Sequence, residues 1–259
     1  TLEDAVQSGS FHVSQRVTPE QVITAQLADG VMMATSPDGL GFDLFLTEVV
    51  VYDHDGDQRT RGDQITASGK LSLELAFDAE LDLDWFEVEK FRFIVIATEK
   101  TELSVNWKVA RQFGPKNIKI AELKGNWINT LIGPLWVGIK PKYTLNLRVE
   151  GEVGGAISTG VTQQATLRLG AAYENSEWSG ISEFNNNFQF NPPQMELSGS
   201  VKAGLGPRAE FPFYGIAGPV IGANVYLQLE GKLSDWLEVD LYGGLELYAG
   251  AKVQFLGKT

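Results

Sequence analysis

Residues 70–85 read Lys-Leu-Ser-Leu-Glu-Leu-Ala-Phe-Asp-Ala-Glu-Leu-Asp-Leu-Asp-Trp, and this stretch decides the fold. Leu71, Leu73, Leu75 and Phe77 alternate with Lys70, Ser72, Glu74 and Asp78, so an extended chain places the apolar set on one face and the polar set on the other. The same period of two recurs at Leu103, Val105, Trp107 and Val109 against Glu102, Ser104, Asn106 and Lys108. It returns at Tyr143, Leu145, Leu147, Val149 and Val153, set against Thr144, Asn146, Arg148, Glu150 and Glu152, and again from Met195 to Val201. Strands with one wet face belong to antiparallel sheets, because parallel sheets are covered on both faces and read as continuous apolar runs. The expectation is an all-β chain whose large antiparallel sheets pack as an elongated sandwich or flattened barrel around one long core.

Along the chain, residues 1–64 are less regular and read as a leading β meander, with residues 65–259 as the main antiparallel region and a soft boundary near 125–134; one domain overall fits as well. Pro19 to Leu27, after the cap residue Thr18, fits a short helix, but the β-branched Val22, Ile23 and Thr24 fit a strand equally well. Nineteen of the 28 glycines follow residue 130, where glycine in strands marks bulges, bends or close sheet packing. The polar stretch Ser182 to Pro193 reads as a connection crossing between sheet regions, and its three asparagines are too few for a prion-like tract.

The charge balance, 21 basic against 33 acidic residues for a net −12, argues against nucleic acid and anionic membrane surfaces as partners. With no cysteine there is no disulfide framework, thiolate chemistry or cysteine-held zinc. No apolar run is long enough for a spanning helix. The two histidines, His12 and His54, lie far apart without triad or metal-ligand spacing, and no phosphate-loop, dinucleotide or HExxH pattern occurs. The expectation is therefore not an enzyme.

Two places have binding chemistry. Residues 53–63, Asp-His-Asp-Gly-Asp-Gln-Arg-Thr-Arg-Gly-Asp, space aspartates closely enough to offer oxygens to Ca²⁺, with Asp53, Asp55, Asp57 and Asp63 as the ligands. Glycine at the fourth position, Gln64 at the twelfth and two arginines inside the loop depart from an EF-type site, and an ordinary hairpin with turn-forming Asp and Gly is the competing reading. Of the six tryptophans, Trp178, in the polar hairpin from Tyr173, and Trp236, after Ser234-Asp235, are expected to be exposed and to offer sugar-stacking faces; the others are expected to pack the core or sheet rims.

The stretch from Gly133-Pro134 to Trp178, then Phe190 to Pro193, and Tyr214 to Pro219 leading into Tyr242-Gly243-Gly244-Leu245, resembles the glycine-spaced β segments of large secreted multidomain bacterial proteins. The resemblance covers about half the chain. It implies a secreted or cell-surface location and a modular context, with other protein modules or copies of itself as partners.

The expected function is a non-catalytic structural or adhesive module of an exported bacterial protein, such as a fibre or stalk subunit, with residues 1–17 as a donor strand for a neighbour's sheet. Alternatives are a carrier holding an elongated, lipid-like ligand between curved sheets, a carbohydrate-binding module, and an outer-membrane barrel.

Overall fold

The alternating stretch lies within a single strand, Gln64–Asp84, 21 residues long, whose side chains Leu71, Leu73, Leu75, Phe77, Ala79 and Leu81 are buried while their neighbours are only partly so. The computed structural model describes residues 8–38, 41–57, 59–60, 62–85, 87–108, 112–153, 156–195, 199–214, 217–233 and 237–253. In chain order the strands are β1 (Gly9–Val17), β2 (Val22–Leu27), β3 (Val31–Thr35), β4 (Phe42–Asp53), β5 (Gln64–Asp84), β6 (Glu87–Trp107), β7 (Gln112–Gly125) and β8 (Ile128–Ile132). They continue with β9 (Leu135–Ile139), β10 (Lys142–Val153), β11 (Ile157–Glu174), β12 (Glu177–Met195), β13 (Gly199–Glu210), β14 (Ala217–Leu233) and β15 (Leu237–Val253). Between β1 and β2 a single 3-10 turn, Pro19–Gln21, is closed by a capping box from Thr18, so the helix that Pro19 to Leu27 allowed gives way to β-branched Val22 and its strand.

Two sheets face each other. One has seven strands in the order β12-β11-β6-β5-β4-β3, with β1 also on β5; the other has six in the order β15-β14-β13-β10-β7-β2. Strand β5 is long enough to hold two partners end to end along one edge, β4 against Gln64 to Leu73 and β1 against Leu75 to Leu83. Leu73, Phe77 and Val95 of the first sheet and Leu145, Leu147 and Leu205 of the second belong to one buried cluster. Each such side chain contributes about 1.5–3 kcal/mol by leaving water. The hairpin β8–β9 lies outside both sheets and contributes Ile128, Ile132 and Ile139 to the same core. The fold is an all-β sandwich, and no described helix is long and apolar enough to cross a membrane.

Three expectations are corrected. Gly9–Val17 pairs with β5 of its own sheet and is not a free donor segment. Ser182 to Pro193 is no crossing connection: it forms most of β12 and pairs with β11. Trp85, one of the tryptophans expected to pack the core or a sheet rim, lies past the end of β5 in a turn with φ of 45° and is 72% exposed.

Glycine lets the long strands approach where a side chain would collide. Gly69 has φ of 152°, and a Cβ there would sit 2.0 Å from the carbonyl oxygen of Glu102 on the adjacent β6, so only glycine fits. The outer faces are held by ion pairs. Glu80 reaches Lys90 at 3.3 Å and Arg92 at 3.2 Å. Glu122 is ringed by Lys119, Lys124 and Lys142, and these lysines, Lys119 foremost, hold its carboxyl down at about 2.

Candidate functional site

The inner face of the seven-stranded sheet runs on past the part that the other sheet covers. Cross-strand pairing sets Leu81, Phe91, Tyr173 and Trp178 in one row, on β5, β6, β11 and β12. One step deeper, Phe93 is capped by Phe213 at 5.0 Å between ring centroids. Beyond that contact the row opens: Trp178 is 66% exposed, with its ring 5.3 Å from Tyr173 and 6.3 Å from Phe91. These rings wall a cleft of ≈ 660 Å³ whose rim includes Glu87, Glu89, Asn175 and Ser176. The β11–β12 turn that aims Trp178 has positive φ at both central residues, 53° at Asn175 and 64° at Ser176, the twist that a two-residue hairpin needs.

A second aromatic group flanks this end. Trp127 and Trp136 lean over Gly138, where a Cβ would meet the Trp136 ring at 3.1 Å and the Trp127 ring at 3.5 Å. Tyr214 stands 5.6 Å from Trp136 and is fixed by its backbone N–H donating to Gly138 O at 2.8 Å and its hydroxyl donating to Trp136 O. Residues Phe213 and Tyr214 are consecutive, so the two groups adjoin through the Phe213–Phe93 contact. Gly133 in the β8–β9 turn has φ of 59° and takes the Phe11 ring of β1 against its open side, which ties the hairpin to the same end of β5. Of the nine large apolar residues exposed among those described, seven are gathered here: Trp85, Val88, Trp127, Leu131, Trp136, Trp178 and Tyr214.

Trp178 is thus exposed as the sequence suggested, and Trp236 lies outside the described residues. Trp107 is buried in the core, but Trp127 and Trp136, expected to pack the core or rims, are 41% and 52% exposed. Their signal was available in the alternation of the hairpin: Trp127, Asn129 and Leu131 hold the register opposite to buried Ile128 and Ile132.

The aspartate loop joins β4 to β5 at the far end of β5 from the aromatic row. Carboxylate oxygens of Asp53, Asp55 and Asp63 come within 4.8 Å of one another, and Asp57 stands outside that group. The loop's own donors already occupy most of these oxygens. Asp53 accepts from Gly56 N and Gln64 Nε2, both at 3.1 Å; Asp55 accepts from Asp57 N and Thr60 Oγ1, both at 2.8 Å; Asp63 Oδ2 accepts from Asp55 N at 3.3 Å. Asp57 Oδ1 instead accepts from Arg59 N at 3.1 Å. The Asp57 N–H and the Thr60 hydroxyl hold the Asp55 carboxyl below its usual range. Hard Ca²⁺ takes six to eight oxygens, and three convergent carboxylates have six in all, so this arrangement is first a set of Asp-stabilised turns.

Inside the sandwich sits a polar group that sequence reading missed. Glu99, Thr101, Thr159 and Gln163 occupy the inward register of β6 and β11 and are all buried. The Thr101 hydroxyl donates to Glu99 Oε1, and Gln163 Nε2 is buried without a hydrogen-bond partner. Burial pushes the Glu99 carboxyl up, with the Thr101 hydrogen bond offsetting part of the effect. Two cavities, of ≈ 30 Å³ and ≈ 20 Å³, share Glu99 and Gln163 in their walls. Comparison with protein-family models, curated proteins and solved structures finds no match for the chain.

Proposed function

We propose that the protein is a non-catalytic adhesive β module of an exported bacterial protein, and that it grips a carbohydrate with its aromatic end. The observation that carries this reading is the row of half-buried Phe91 and Tyr173 and exposed Trp178 lining an open cleft of ≈ 660 Å³. A pyranose ring presents apolar C–H faces that stack on such rings, and its hydroxyls suit the carboxylates of Glu87 and Glu89 and the amide of Asn175 at the rim. The rings stand on strands and a two-residue turn, so little conformational entropy is lost when a ligand docks. The bacterial-surface setting is the one implied by the resemblance to glycine-spaced β segments of secreted bacterial proteins.

Among the described residues the interior supports this reading over a lipid carrier: the cavities at Glu99 and Gln163, ≈ 30 and ≈ 20 Å³, hold a water or two and are far too small for an acyl chain. The test is a glycan array followed by calorimetric titration of the oligosaccharide it selects. Trp178→Ala is expected to weaken binding about tenfold or more, a loss of about 1.4 kcal/mol or greater. An array with no binder, or unchanged affinity in the variant, would overturn the proposal.

A further inference from the structure

We propose that the outer edge of β12 pairs with β12 of a second copy of this chain, antiparallel and centred on Asn186. Among the described residues β12 is the edge of its sheet and pairs with β11 alone. Exposed edges of this length are ordinarily protected by charge, yet no charged residue occurs from Phe184 to Met195. Such an edge is a template for another strand, and what it accepts is set by its own sequence.

That sequence is self-complementary. Phe184-Asn185-Asn186-Asn187-Phe188 reads the same in both directions, which is what a two-fold interface between identical strands requires. A two-fold axis through Asn186, perpendicular to the sheet, sets Asn186 against its own counterpart and Asn185 of one copy against Asn187 of the other. It also sets Phe184 against Phe188. Both of these rings already pack on the core from the inward side, so the pairing sets each Phe184 beside a Phe188 of the other copy, with the two Asn186 amides meeting between them on the same face. The outward amides form side-by-side pairs that satisfy one another.

The flanks agree with this register. Glu183 falls opposite the neutral Gln189 and is itself neutralised by Arg168 at 3.4 Å, so no like charges meet. Pro192 and Pro193, which have no N–H to donate, fall just outside the paired segment 181–191 and end it. Because the interface is isologous it closes as a dimer and does not propagate into a fibre. Because the strands run antiparallel, the two aromatic ends point in opposite directions. The pairing stands whether or not the aromatic cleft takes a sugar.

The natural chain has no cysteine, so a single introduced one reports contact directly. Asn186 is exposed, and a side chain at Gly180 meets nothing within 4 Å, so both positions accept substitution without disturbing the fold. Under mild oxidation Asn186→Cys is expected to form a disulfide-linked dimer of twice 28.4 kDa, and Gly180→Cys, which falls opposite Pro192, is expected to stay monomeric on a denaturing gel. Sedimentation of the unmodified chain is expected to give the dimer mass. Asn186→Lys, which sets two ammonium groups against each other at the axis, is expected to give the monomer mass with an unchanged circular dichroism spectrum. An unmodified chain that remains monomeric up to millimolar concentration overturns the proposal, as does equal cross-linking at positions 180 and 186.

Discussion

A carboxyl group buried between the sheets sets a pH dependence of stability. Glu99 is buried between the two sheets and accepts the Thr101 hydroxyl; among the described residues the cation in its cavity walls is Arg208, whose guanidinium is engaged by Glu210 at 3.0 Å. Burial raises the carboxyl above its ordinary value of 4.5, so the folded chain keeps a proton that the unfolded chain releases. Folding therefore takes up a proton between those two values. Stability is full below the unfolded value and falls as pH rises through the folded one. Glu99→Gln, which keeps the shape of the protonated acid and cannot ionise, is expected to melt higher than the natural chain at neutral and alkaline pH and at the same temperature below pH 4.5. Melting curves across that range check it; a difference that is constant with pH would contradict it. Glu122 has the opposite sign. Its carboxyl is held at about 2 by three lysines, so its contribution is present above 4.5 and is lost as the pH falls toward 2.

At the scale of elements, strand length and backbone geometry govern. Strand β5 pairs along its whole length with β6, and the missing side chain at Gly69 lets the Glu102 carbonyl of β6 come close there. Gly69→Ala is expected to destabilise the fold by at least about 1 kcal/mol, through a strained φ and a Cβ driven onto the Glu102 carbonyl, and urea unfolding reads this as a lower midpoint. An unchanged midpoint would mean that the strands are not apposed there. The strands themselves were legible because alternation survives any choice of partner: Leu71, Leu73, Leu75 and Phe77 are buried in β5 as their period demands. Partnership was not legible. Nothing local tells residues 9–17 to lie beside residues 75–83, since that choice rests on β5 outrunning β4. The Ser182 to Pro193 stretch misled because polar residues and prolines are admissible on an edge strand, which has only one neighbour to satisfy. Glu99 was hidden by a neighbourhood that is otherwise regular, with Ala97 and Leu103 holding the same inward register.

At the scale of the molecule, the two ends of the long strands differ in chemistry. One carries the aspartate loop at the start of β5; the other gathers Trp178, Tyr173 and Phe91 in an open cleft with Trp127, Trp136 and Tyr214 beside it. Exposed Trp178 was predictable from its polar hairpin, whereas the row it completes depends on the register of four strands that are distant in sequence. Contiguous exposed aromatics mark a contact surface, and a concave one with carboxylates and an amide at its rim suits a sugar. The chain has six tryptophans, so its indole N–H signals form a small and resolvable set in a ¹⁵N-labelled sample. Titration with cello-, xylo- and chito-oligosaccharides, followed on those signals, tests the aromatic end directly. The account predicts that one of these sugars moves the Trp178 signal saturably while the buried Trp107 signal stays in place; a Trp178 signal that no sugar moves, or one that moves no more than that of Trp107, would contradict it.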